Sequence, residues 1–86
     1  MPNAIQKWTL NVTDEQSLRL PQDAEILCIR VEDGRPQLWA LVDHDKPIVI
    51  RKFFTYYSGA AMPVGDLGQY IGSYEINFVF HVFEKS

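Results

Sequence analysis

His81 is the residue of this chain best suited to chemistry. It stands in Phe80-His81-Val82-Phe83-Glu84, where strand alternation sets it opposite Phe80 and Val82. An imidazole among aromatic rings can move a proton or contact a ligand. The plainer role is a half-buried ring with one satisfied hydrogen bond. A second group, Tyr56-Tyr57-Ser58-Gly59, ends a long apolar run and enters a glycine-containing loop. Tyrosines stack on flat rings and donate hydrogen bonds, and amides exposed in such a turn can hold an anion. Packing and turn formation account for the same residues without function. With Arg51 just upstream, the candidate ligand- or partner-binding set is Arg51, Tyr56, Tyr57, Ser58, Gly59 and His81.

Other reactive residue types are poorly placed. His44 lies between Asp43 and Asp45, which are metal-ligand types. Neighbours on one loop rarely converge on an ion without distant help, and a solvated turn explains them. Cys28 is the single cysteine, between Leu27 and Ile29, so no internal disulfide and no cysteine-based zinc site can form. It reads as a small, partly buried core residue. No P-loop, G-x-G-x-x-G or G-x-S-x-G pattern occurs. Ser58 shows no sequence sign of a paired base. No catalytic set, metal or cofactor is expected.

The elements that must position these residues are strands. Two-residue alternation dominates. In the first strand Gln6, Trp8, Leu10 and Val12 share a face, expected to be the core face. Thr13-Asp14-Glu15-Gln16 matches a helix capping box, but Pro21 follows too soon for a helix. A turn and a short strand over Leu18–Leu20 are expected instead. Pro21-Gln22-Asp23 turns into a strand over Glu25–Glu32, with Leu27, Ile29 and Val31 on one face and Ile26 and Cys28 on the other. Asp33-Gly34 marks a hairpin, and the return strand covers Gln37–Asp43. Leu38, Ala40 and Val42 face one way, Trp39 and Leu41 the other.

After the polar loop Asp43–Pro47, a strand from Ile48 to Tyr57 sets Ile48, Ile50, Phe54 and Tyr56 on one face. Val49, Arg51, Phe53, Thr55 and Tyr57 lie on the other. Large residues on both faces imply a central strand. Ser58–Gly68 is the one long irregular segment, of a kind that tends to be functional or mobile. Strands over Gln69–Tyr74 and Ile76–Glu84 complete the chain. Ile76, Phe78, Phe80 and Val82 share a face opposite Asn77, Val79, His81 and Phe83.

Six to seven short strands cannot rest as one flat sheet with a wet face and open edges. The expected fold is all-β: a small antiparallel β-sandwich or a partly open barrel, one domain over residues 1–86. Nine of the eleven aromatic residues fall between Phe53 and Phe83. A chain of 86 residues buries only about 60–65% of its unfolded surface. Some of these rings are therefore expected on a surface that binds a ligand, a partner or a second copy.

The apolar fraction of 47% argues against disorder. No apolar run approaches the ~18 residues of a membrane span. Met1-Pro2-Asn3-Ala4 lacks a basic region leading into an apolar core, so the expected location is cytoplasmic, without membrane contact. The net charge is −3. The basic residues are scattered apart from Arg51-Lys52, which point to opposite strand faces. Nucleic acid is not the expected partner, because that affinity is built from clustered cations.

The words Leu20-Pro21-x-x-Ala24-x-Ile26-Leu27, Leu38-Trp39-Ala40-Leu41-Val42-Asp43 and His81-Val82-Phe83-Glu84 are similar to those of a small uncharacterised family encoded by phages, prophages and their hosts. The resemblance runs along nearly the whole chain. Members of that family carry Thr-Gly-His after the central strand, where this chain has Ser58-Gly59-Ala60. The resemblance implies provenance, an accessory protein of a mobile element in the host cell, rather than an activity. The expectation is a non-enzymatic protein that binds a host protein or a small molecule, as an antidefence inhibitor would. A homodimer or higher homo-oligomer could form through edge strands. The alternatives are a minor structural or assembly component of a virion, and a small enzyme using His81.

Overall fold

The computed structural model describes residues 1–85. Seven strands follow one another: β1 Ala4–Thr9, β2 Glu15–Pro21, β3 Glu25–Glu32, β4 Arg35–Val42, β5 Ile48–Tyr57, β6 Gln69–Ile76 and β7 Phe78–Lys85. They form a three-stranded sheet, β1-β4-β3, and a four-stranded sheet, β2-β5-β7-β6. Every pairing is antiparallel. Of the two expected folds, this is the small antiparallel β-sandwich; among the described residues no barrel closes. Among the described residues no helix is long and apolar enough to cross a membrane.

Each sheet has one apolar face, and the two faces meet. β4 supplies Leu38, Ala40 and Val42 from one side, while β2, β5 and β7 supply Leu20, Phe53 and Val82 from the other, all fully buried. Ile29 of the three-stranded sheet packs over Gly72 of β6, at a distance where even an added Cβ would make ordinary van der Waals contact. The β5 alternation therefore resolves in one sense. Phe53 and Thr55 point inward, and Phe54 and Tyr56 point to the outer face. β5 is central, between β2 and β7.

The β3–β4 hairpin turns on Asp33 and Gly34, both with positive φ (52° and 75°), between the paired Glu32 and Arg35. That is the two-residue turn whose twist matches its strands. Elsewhere the strands depart from the sequence reading for local reasons. A bulge between Ile26 and Cys28 sets Leu27 out of the alternation. Ile26 and Ile29 thus both pack on the core, and Leu27 is exposed. β2 begins at Glu15, because the Gln16 side chain bonds both the amide and the carbonyl of Asn11 (2.9 and 2.8 Å). That bond closes the bend where a capping box was matched. β1 ends at Thr9, so Val12 is 53% exposed rather than in the core. The β6–β7 turn falls at Asn77, with φ 62°, a conformation that asparagine tolerates.

Two positions offer tests of the packing. The backbone of Gly68, with φ 84°, lies so close to β7 that a Cβ would overlap the Glu84 carbonyl. An L-residue there carries a left-handed penalty of about 1–2 kcal/mol plus the displacement of β6 from β7. Gly68→Ala is expected to lower stability by at least about 2 kcal/mol, read from the urea midpoint. A midpoint equal to wild type would contradict the close approach.

Tyr74 is buried, and its hydroxyl has no hydrogen-bond partner among the described residues. Tyr74→Phe is expected to raise stability by about 1 kcal/mol, because an unpaired buried hydroxyl is costly. Burial pushes the Tyr74 phenol above its ordinary 10.0. The unfolded chain therefore releases this proton first. The wild-type protein holds its Tyr74 contribution below pH 10 and loses it as pH rises above that. The advantage of the phenylalanine variant should widen above pH 10 in unfolding titrations, and a constant difference would count against it.

Candidate functional site

The outer face of the four-stranded sheet carries a grid fixed by strand register. Across β5 and β7, Lys52 pairs with Lys85, Phe54 with Phe83, and Tyr56 with His81. Across β7 and β6, Phe83 pairs with Tyr70 and His81 with Ser73. The grid reads as a row of lysines, then a row of rings, then a row centred on His81. The rings touch edge to face. Phe83 lies 5.8 Å from Tyr56 and 5.2 Å from Tyr70, at interplanar angles of 69° and 74°. Such pairs contribute about 0.5–1.5 kcal/mol beyond burial, so the platform is preorganised.

His81 is held from both sides. Its Nε2 lies 2.8 Å from Ser58 Oγ, and its Nδ1 lies 2.9 Å from the Tyr70 hydroxyl. A neutral imidazole donates at one nitrogen and accepts at the other, so Ser58, His81 and Tyr70 form one hydrogen-bonded chain. Ser58 is fixed by its own amide, which donates to the Val79 carbonyl (2.8 Å). The next turn closes where the Ala60 amide donates to the Tyr57 carbonyl (3.0 Å). Together with Gly59 and Met62 these residues line an open groove of about 330 Å³.

Five of the six candidate residues, Tyr56, Tyr57, Ser58, Gly59 and His81, thus meet in one groove. Arg51 does not. It sits on the opposite face of β5, where its Nε and Nη2 donate to both Glu84 oxygens (2.5 and 2.7 Å). Its Nη1 donates to the Ala24 carbonyl (2.6 Å). The Glu84 bonds hold the guanidinium firmly protonated. This fork ties β5 and β7 to the turn before β3, so Arg51 is a structural clamp rather than a ligand contact.

Tyr70 and Phe83 belong to the groove but were not among the candidates. Both lie in segments readable as strands. Tyr70 meets His81 only because of a register shift between Tyr70 and Gly72, which no alternation rule reveals. Phe83 shares a face with His81, and that signal was available.

The remaining reactive residues are accounted for by structure. Asp43 Oδ1 accepts from the Asp45 amide (2.9 Å), and Oδ2 pairs with the N-terminal ammonium (3.1 Å). These bonds hold the carboxyl below its usual range, the Asp45 amide foremost. His44 is exposed at this loop, its backbone amide donating to Asn3 Oδ1 (3.1 Å). Among the described residues no three His, Cys, Asp or Glu side chains gather as a metal site. Cys28 is half-buried, across the strand pair from Trp39. Beside it Glu32 accepts from Lys7 (2.8 Å) and from the Trp39 indole (3.1 Å).

The family model described as "Domain of unknown function (DUF7352)" matches residues 1–86. No curated protein and no solved structure matches the chain.

Proposed function

The chain belongs to the DUF7352 family, and for it we propose a non-enzymatic function: binding a small molecule that carries an aromatic ring, in the groove around His81. The observation that supports this most is the fixed imidazole beside an exposed aromatic platform. Both ring nitrogens are oriented by hydroxyls, and Tyr70 remains 50% exposed. A flat ligand gains stacking area on Phe83 and its neighbours, and polar contacts from the Ser58–His81–Tyr70 chain. The groove volume suits a small molecule better than a broad protein surface.

The Ser58–His81 contact resembles a nucleophile and its base, but its third member is a phenol. A carboxylate in that position would stabilise the imidazolium that forms when serine is deprotonated. A phenol in place of the carboxylate gives no such compensation, so the chain is better suited to orient a ligand than to activate Ser58. Under this reading the protein sequesters its ligand. A phage or prophage accessory protein acting on a host signal would work in this way.

Ligand-detected magnetization transfer from the protein to a panel of aromatic fragments tests the proposal. Signal is expected with wild type and lost with His81→Ala, while the unfolding midpoint of the variant stays near wild type. A serine-reactive fluorophosphonate should leave Ser58 unlabelled. Rapid labelling of Ser58, or fragment signal unchanged in His81→Ala, would overturn it.

A further inference from the structure

Lys52 and Lys85 stand directly opposite each other on the outer face of the central strand pair. Like charges in that position destabilise a sheet. Among the described residues no carboxylate lies within ion-pair distance of either. The Lys85 ammonium instead lies 5.1 Å from the centre of the Phe54 ring. Arg19 of β2 adds a third cation one step away on the diagonal, since Ser17 pairs with Lys52 and Arg19 with Ile50. The strip is short. Across from Phe54 stands Glu15, whose charge closes it off on the β2 side.

The order of the rows matters more than the charge. Successive rows on one face are two residues apart, about 6.8 Å. From the lysines one passes to Phe54, Phe83 and Tyr70, and then to Tyr56 and His81. Sites for an anionic group, for a flat ring and for a hydrogen-bonding edge are therefore presented in sequence along β7. We propose that the ligand of this face is a nucleoside phosphate, its base on the Phe83 platform with its edge toward His81, and its phosphate between Lys52 and Lys85. This rests on the reading of the groove as a ligand site and adds the ligand's class. Stacking is worth about 1–3 kcal/mol per base, and ammonium–phosphate bonds are charge-assisted. A nucleic-acid polymer fits less well, because a net charge of −3 and one lysine pair supply no cationic track.

The test is a set of titrations at low salt with the four common nucleoside 5′-monophosphates, their nucleosides, inorganic phosphate and a short single-stranded oligonucleotide. At least one monophosphate is expected to bind tenfold or more tightly than its nucleoside. In the double variant Lys52→Gln, Lys85→Gln that advantage should vanish while nucleoside binding persists. The variant removes a like-charge pair, so its fold should not suffer. Equal affinity for nucleotide and nucleoside, or an advantage that survives the double substitution, overturns the proposal. So does an oligonucleotide that binds more tightly per phosphate than any mononucleotide, which would point to a polymer. If no nucleoside or nucleotide binds but other aromatic fragments do, the ligand class is wrong and the groove reading stands. If no aromatic compound binds, both fail.

Discussion

Phe53→Ala is expected to remove about 3–5 kcal/mol of stability. Phe53 is fully buried. It lies on the central strand of the larger sheet, paired in register with Gln16 of β2 and Glu84 of β7. A domain of this size holds a total of roughly 4–13 kcal/mol, so the loss takes about a third of the upper bound and could exhaust the lower one. The neighbouring substitution Phe54→Ala is the control. Phe54 points to the outer face and is half-buried, so its replacement should cost about 1 kcal/mol. Urea unfolding of the two variants compares them directly. Equal losses would mean that the faces of β5 are not divided as described.

The second large effect concerns binding. Phe83 is the centre of the aromatic row, in edge contact with both Tyr56 and Tyr70. Phe83→Leu keeps an apolar side chain of comparable size, and so most of the packing, but removes the flat ring. If the outer face holds a stacked ligand, affinity should fall by about 10–100-fold, the equivalent of about 1–3 kcal/mol per stacked base. The same substitution should move the unfolding midpoint only slightly. Retained affinity in Phe83→Leu would show that the ring is packing material. A collapse of stability instead of affinity would say the same.

How much of this was readable beforehand depends on what each feature needs. β3 and β5 start and end where alternation and turn residues place them, because those signals are local. The Asp33-Gly34 turn is local as well. Alternation separated Phe53 from Phe54 and His81 from Val82, yet it could not say which side was core. That is decided by the second sheet, whose Leu38, Ala40 and Val42 cover Phe53 and Val82. Arg51 illustrates the limit. Its type and position just upstream of Tyr56 suggested a ligand contact, and its β5 face was predicted. Its engagement by Glu84 depends on the pairing of β5 with β7.

The two bulges set the other boundary. Each inserts a residue that breaks the period of two, one at Leu27 and one at Ile71. The first turned Ile26 inward and Leu27 outward. The second brought Tyr70 to His81, and with it half of the hydrogen bonding that fixes the imidazole. The Ser58-Gly59-Ala60 segment enters the groove directly. Ser58 bonds His81, and Ala60 lines the wall.

The most direct test of the binding face is a residue-resolved map of amide chemical shifts in the ¹⁵N-labelled protein as adenosine 5′-monophosphate, or the tightest fragment of the panel, is added. The predicted result is a set of perturbations confined to residues 52–60, 70–73 and 79–85, which join on the outer face of the four-stranded sheet. Perturbations centred instead on Cys28, Trp39 and Leu41, across the molecule on the three-stranded sheet, would contradict it.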